Sequence, residues 1–318
     1  MSIEDIPGVL VASSVALVAY IIYSFYPSFD ALFVALILGI IFRTFFMSEI
    51  LKPGIDTSVK IFIPIGIIAY SSNLSFDTLI SMLSIKIVLI LFIMFTYMVV
   101  TLYLSLKYGV RRKLAILLAG GSAVCGASAI AIISPLIKAK NRDTSIAILS
   151  ITAVGLTGAM IYPLFREILH ISASSYAFLV GTTLPQVGII KIASTYVGIN
   201  PENALAFKSV RIAMIPIIAI FAQKLTDEKQ HIKVPWFIVI FIILGILFSF
   251  FAPFERIRYI VRPISTFVFS IALASIGLST DLTEVLEARL RVLNIAYFSW
   301  LSAFFVVVIF EKVLGMYI

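Results

Sequence analysis

The chain has 318 residues, of which 61% are hydrophobic and 13% charged, with a formal net charge of +8. Soluble globular domains carry about 45–50% apolar and about 25% charged residues, so this composition excludes one. The 26 Phe and the long Ile/Leu/Val runs exclude a disordered chain, because such residues bury themselves.

A membrane helix needs about 20 apolar residues, so roughly ten or eleven spans would use about 200–220 of them. Short loops remain, with no room for a separate soluble domain, and the chain reads as one transmembrane unit over 1–318. A positive balance raises nucleic acid as a partner. In a membrane chain Lys and Arg instead mark cytoplasmic loops, and no nucleic acid is expected. The single cysteine, Cys125, excludes an internal disulfide. The start Met1-Ser2-Ile3-Glu4-Asp5-Ile6-Pro7 lacks the basic region of a signal peptide, so the first apolar run reads as a retained span.

Apolar runs cut at Gly, Pro and charge clusters cover 8–26, 30–47, 58–72, 85–106, 114–137, 144–165, 172–198, 203–223, 235–253, 263–280 and 291–314. They read as helices, since backbone in lipid must satisfy its own hydrogen bonds. The expected class is an all-α polytopic membrane protein with about 9–11 membrane segments, multi-pass in a prokaryotic cell membrane. Two segments contain breaks. The fifth holds Gly120-Gly121-Ser122-Ala123-Val124-Cys125-Gly126-Ala127-Ser128, and the seventh holds Gly181-Thr182-Thr183-Leu184-Pro185-Gln186-Val187-Gly188. Small residues and Pro weaken a helix interior. In a membrane such breaks survive only where the backbone is covered by protein or lines a cavity.

The chain also repeats itself. Ile37-Leu38-Gly39-Ile40-Ile41-Phe42 recurs as Ile243-Leu244-Gly245-Ile246-Leu247-Phe248, and Asn73-Leu74-Ser75 recurs as Gly277-Leu278-Ser279 at nearly the same offset. The matched segments lie an odd number apart and so run in opposite directions. That pattern is an inverted repeat, common in secondary transporters, with halves at about 30–142 and 172–316. The two broken segments fit the inversion if they are re-entrant hairpins entering from opposite faces; discontinuous crossing helices are the alternative. The hairpin arrangement puts Lys107, Arg111, Arg112 and Lys113 on one side with Lys138, Lys140 and Arg142, as the positive-inside rule prefers.

Nucleotide-binding and zinc-protease motifs are both absent, and the only histidines are His170 and His231. No enzyme activity, cofactor or metal is expected. All sixteen acidic residues fall in loops or near segment ends. A cation carrier usually keeps a carboxylate at the midplane, so this counts against sodium or proton binding of that type.

Three cations do sit inside apolar runs: Lys191, Lys208 and Arg211. The last two are spaced i,i+3 and share a helix face. Arg211 lies about 12 Å into its span, where an Arg costs about 2.5–3.5 kcal/mol. One reading is that these cations attract an anion; the other is that they snorkel to the interface. Half-helices starting near Cys125–Ser128 and near Gln186–Gly188 would point positive N-termini inward and bind oxyanions through free N–H groups. Candidate substrate-binding residues are therefore Ser122, Cys125, Gly126, Ser128, Thr182, Thr183, Gln186, Lys191, Lys208 and Arg211. Gly120, Gly121, Pro185, Gly188, Asn73, Gly277 and Ser279 are candidate breaks or hinges. Close helix packing is the competing use of the small residues. Cys125 reads as a small buried residue rather than a reactive thiol.

The run Ala123-Val124-Cys125-Gly126-Ala127-Ser128-Ala129-Ile130-Ala131 with Pro135 resembles the signature of the YeiH-type sulfate exporter family. So do Lys208-Ser209-Val210-Arg211 with Pro216, Pro235-Trp236-Phe237, Ile276-Gly277-Leu278-Ser279, and Gly66-Ile67 through Leu74-Ser75. The resemblance covers about 30–315. It implies a transporter related to the cation–proton antiporter and bile-acid carrier groups. Family members carry a His-Glu pair in the second broken segment, where this chain has Pro185-Gln186. A titrating pair is replaced by groups that do not titrate, which puts coupling through that pair in doubt.

The expected function is a secondary transporter, an exporter or exchanger, of a small anion such as sulfate, a sulfonate or a carboxylate, working by alternating access. Its partners are that anion, the bilayer and a coupling ion (proton or sodium), with a homodimer as a candidate assembly. A sodium- or proton-coupled organic-anion carrier is the alternative within transport. A membrane sensor or intramembrane enzyme is the alternative of another class.

Overall fold

The computed structural model describes residues 3–26, 29–46, 48–73, 85–226 and 236–313. Leu74, Ser75, His231 and Pro235 lie outside them. The described residues form helices and no strand. In chain order these are α1 (Ile6–Phe25), α2 (Ala31–Phe46), α3 (Lys52–Tyr70), α4 (Ile85–Lys107), α5 (Arg112–Ala123), α6 (Ala127–Leu136) and α7 (Asn141–Leu169). Then come α8 (Ala173–Thr183), α9 (Val187–Tyr196), α10 (Pro201–Ala213), α11 (Ile215–Lys224), α12 (Trp236–Phe250), α13 (Ala252–Leu278) and α14 (Leu282–Val313).

Among the described residues, seven helical stretches are long and apolar enough to cross a membrane. The apolar helices α2 and α12, of 16 and 15 residues, are shorter. The chain is a multi-pass integral membrane protein. Its surface is inside-out in the sense lipid demands. On α1, Ala12, Ala16 and Ala19 are buried, while Leu10, Leu17, Val18 and Ile21 are exposed. Small residues let helices approach, and large apolar ones face the tails.

Several sequence boundaries move. The third, tenth and eleventh segments start earlier, at Lys52, Ala252 and Leu282. The eighth splits at Met214, where Pro216 opens a new first turn.

Both broken segments are hairpins. In the first, Lys113 Nζ at the start of α5 donates to the carbonyl of Lys138 beyond the end of α6, at 3.1 Å. In the second, Tyr176 Oη on α8 donates to the Ala193 carbonyl on α9, at 3.0 Å. Arg166, near the end of α7, ties the base of that hairpin by donating to the Val197 carbonyl and lying 5.7 Å from the Tyr176 ring. The 29 residues of α7 run between the two hairpin bases. At 1.5 Å per residue that is about 43 Å, so the hairpins enter from opposite faces. The face of the first carries the Lys107–Lys113 and Lys138–Arg142 clusters, the charge pattern that the positive-inside rule expects on the cytoplasmic side, and is called the cytoplasmic side on that ground. The second enters from the opposite face, the outer one by the same rule.

The breaks fall elsewhere than the glycine doublet indicates. Gly120 and Gly121 are helical and pack on Ile133 and Ile130 of the opposing arm. The chain turns at Val124-Cys125-Gly126 instead. Gly188 is likewise inside the first turn of α9, and the second turn forms at Leu184-Pro185-Gln186. Asn73 ends a short 3-10 turn after α3, and Ser279 caps α13.

Helices α1, α2, α3, α12 and α13 pack into one bundle, and α4 to α11 with α14 into another; contact between the two is thin. A hydrogen bond of 2.7 Å between Ser145 and Thr280 crosses the divide on the cytoplasmic side. Gly277 is helical too, and it seats α13 on α2. A Cβ there would strike the Leu36 carbonyl, and one on Gly39 would strike that of Ala274. Gly277→Ala is expected to cost about 1–3 kcal/mol, because backbone cannot yield as a side chain does. Thermal unfolding of the purified protein reads it as a lower Tm. An unchanged Tm would show that the two helices separate freely.

A cationic site between two hairpin tips

The first arms, α5 and α8, end in the protein interior with their last carbonyls unpaired by the helix, as every helix C-terminus must. Each end carries about half a negative charge. Lys208 and Arg211, one turn apart on α10, meet both ends and are wholly buried. Lys208 Nζ donates to Val124 and Leu184 carbonyls at 2.7 and 2.8 Å. The Arg211 guanidinium donates from Nε to Ala123 at 2.7 Å and from Nη1 to Thr182 at 2.6 Å and Leu184 at 3.2 Å. Its Nη2 donates to Ser122. No acidic partner is needed, because the carbonyls of two helix ends take its place. The two cations thus tie the hairpins together.

The return arms, α6 and α9, begin at the same level. Their caps, Gly126 and Gln186, supply no side-chain bond to the first N–H groups. The two helix starts offset the two helix ends, so the positive surplus at the junction comes from Lys208 and Arg211.

Two adjoining cavities open beside it. The inner, of about 110 Å³, is lined by Cys125 and Ser128 of the first hairpin and by Val187, Gly188 and Lys191 of the second. The outer, of about 410 Å³, reaches from Lys208 to Glu202 in the first turn of α10 and so faces outward. Tyr23, Asn73, Lys191 and Thr266 border both. The inner cavity has room for a small oxyanion or a few waters.

Of the residues singled out in the sequence, Cys125, Ser128, Gly188, Lys191, Lys208 and Asn73 therefore line the cavities. Arg211, Ser122, Thr182 and Gln186 stand behind the wall. Thr182 Oγ1 bonds the Phe178 carbonyl. Thr183 accepts or donates a 2.6 Å bond with Tyr162 Oη, which also receives Trp300 Nε1 at 2.7 Å. Gln186 Nε2 donates to Thr152 Oγ1 at 2.7 Å, and Gln186 Oε1 is buried without a partner. Gly126 sits at φ +64°, with Gln186 and Pro185 directly against it.

Sequence reasoning missed Tyr23, Asp30, Tyr70 and Thr266 on the cavity wall, and Thr152, Tyr162 and Trp300 behind the second tip. Asp30 ahead of an apolar run is a readable cap signal, but its depth is not readable. It shares the inner cavity with Thr266, near the middle of the 27-residue α13. A third cavity of about 290 Å³, bordered by Arg43, Lys52, Asp56, Asn141 and Ser279, lies between the bundles on the cytoplasmic side.

A family model described as conserved hypothetical protein 698 matches residues 7–296. A UPF0324 membrane protein of Archaeoglobus fulgidus is 38% identical over 283 residues, 89% of this chain and 85% of that protein. The UPF0324 inner membrane protein YeiH of Salmonella typhimurium is 26% identical over 290 residues, 86% of this chain and 83% of that protein. A UPF0324 membrane protein of Staphylococcus epidermidis is 27% identical over 302 residues, 89% of each. No solved structure matches the chain.

Proposed function

The chain belongs to the UPF0324 family of membrane proteins, that of conserved hypothetical protein 698, and we propose that it is a secondary transporter of a small oxyanion, with sulfate, a sulfonate or a carboxylate as substrate. The observation that carries this reading is the junction of two opposed hairpins around Lys208 and Arg211, beside a cavity lined by the first turns of α6 and α9. Helix N-termini and a surplus of buried positive charge favour an anion over a cation.

Transport needs access from both faces. The outer cavity faces outward, and the cavity at Arg43 and Asn141 lies on the cytoplasmic side of the same divide between bundles. Motion of one bundle against the other would open each in turn. The opposite entry of the hairpins is what an inverted repeat of 30–142 and 172–316 requires, and it supports that relation. Such repeats and discontinuous helices are the usual build of secondary carriers. Among the described residues no cluster of His, Cys, Asp and Glu suits a metal. The reading assigns the protein no catalytic step.

The test is flux into proteoliposomes under an imposed anion gradient, with sulfate, methanesulfonate and acetate as probes. Saturable uptake of one of them, reduced at least tenfold in Lys208→Met, is the expected result. Leakage equal to protein-free vesicles for all three would overturn the proposal.

A further inference from the structure

The cationic cavity contains a carboxylate. Asp30 Oδ1 accepts the N–H groups of Leu32 and Phe33 at 3.0 and 3.1 Å, capping α2. The residue lines the inner cavity with Cys125 and Ser128 of one hairpin and Lys191 of the other. Among the described residues no ion pair includes it. Because α2 has only 16 residues, its start lies deep, at the level of the middle of α13. A carboxylate at that depth, facing an anion site, opposes the ligand it borders. Membrane-embedded carboxylates of this sort are costly and mark ion or proton pathways.

We propose that Asp30 is the proton-coupling group of the carrier, taking up one proton as the anion enters the inner cavity and releasing it as the anion leaves. The inference rests on the anion-carrier reading and adds its coupling ion. The step is an association. A proton from water bonds to the carboxylate of Asp30, the anion occupies the cavity, and no other covalent bond changes.

Charge balance gives the reason. The N–H groups of Leu32 and Phe33 bond the ionised Asp30, and in the empty cavity the positive groups that share its space are Lys191 and the starts of α6 and α9. An arriving anion takes over those positive partners and places a like charge beside the carboxylate. Both changes favour the neutral carboxyl. By linkage, the proton then favours the anion to the same degree. A metal cation fits this cavity poorly, because Lys191 and two helix N-termini repel it.

The other titratable groups on the inner wall are Tyr23 from α1, Tyr70 from α3, Cys125 from the first hairpin and Lys191 from α9. The outer cavity adds Glu202 and Lys208 from α10 and Arg262 from α13. Glu202 is the other carboxylate, exposed at the mouth, and serves as the control.

The experiment is calorimetric binding of sulfate, methanesulfonate and acetate to the full chain in nanodiscs from pH 5 to 8. Each titration is repeated in two buffers of different ionisation enthalpy. The wild type is expected to take up one proton per anion, and its affinity to fall by up to about tenfold per pH unit. Asp30→Asn is expected to bind the same anion with a flat pH profile and no proton uptake. Its Oδ1 keeps the cap on α2, and an unchanged Tm verifies the fold. Asp30→Glu and Glu202→Gln are expected to keep the slope. A wild-type slope in Asp30→Asn, a flat wild type, or a slope that exists only in sodium would overturn the assignment while leaving the carrier standing. Failure of all three anions to bind the wild type at any pH would overturn the carrier reading itself.

Discussion

Arg211→Ala is expected to remove about 3–5 kcal/mol of stability, the usual cost of deleting one partner of a buried charged pair. The partners here are carbonyls of Ser122, Ala123, Thr182 and Leu184, drawn from the ends of both α5 and α8. A hydrogen bond to a charged group contributes about 1.5–3 kcal/mol, and several are lost at once, with partial relaxation limiting the total. The buried acceptors would remain without a donor. Arg211→Lys keeps the charge but lacks the planar fork, so it is expected to recover only part of the loss. Denaturant unfolding in detergent measures both. Trp300 provides a fluorescence signal, since its Nε1 bonds Tyr162 behind the second hairpin. Stability equal to wild type in Arg211→Ala would show that the hairpin tips hold together without this side chain. Flux alone cannot separate positioning from binding at Arg211, because the residue lies behind the cavity wall.

Gly126→Val is expected to cost a similar amount for a different reason. At φ +64° a β-branched side chain pays backbone strain of about 1–3 kcal/mol. A Cβ there would also stand 3.1 Å from Gln186 Cγ and 3.2 Å from Pro185 Cβ, adding overpacking of about 1–3 kcal/mol. The two hairpin tips would be driven apart where Lys208 and Arg211 must reach both. Anion binding should therefore fall with stability, and by more than in Gly277→Ala, whose contact lies within the other bundle. Equal thermal stability of Gly126→Val and wild type would mean that the tip adopts another backbone path.

Lys208 joins two positions of which Arg211 holds only one. It bonds the Val124 and Leu184 carbonyls yet also borders the outer cavity. The side chain that holds the tips together thus also forms part of the cavity wall. The i,i+3 spacing of the two cations, legible in the sequence, lets both reach the joint while Lys208 alone also borders the cavity.

The hydrophobic runs by themselves determined that this is an all-helical, multi-pass membrane protein. A backbone in lipid has few ways to satisfy its hydrogen bonds, so apolar length is nearly sufficient. Small-residue runs in the fifth and seventh segments located the hairpins, and the spacing of Lys208 and Arg211 marked the buried cations. What compensates those cations was not legible, since their partners are backbone carbonyls, which every residue carries and no sequence distinguishes. The glycine doublet misplaced the first break for a related reason. Gly120 and Gly121 serve contact with Ile133 and Ile130, and packing is a property of the facing helix rather than of the doublet. Asp30 looked like an ordinary residue at a segment edge. Only tertiary structure brought it to the cavity that Ser128 and Lys191 line, because α2 is short and is held low in its bundle by the Gly39–Gly277 contact, placing its cap at the depth where the two hairpin tips meet.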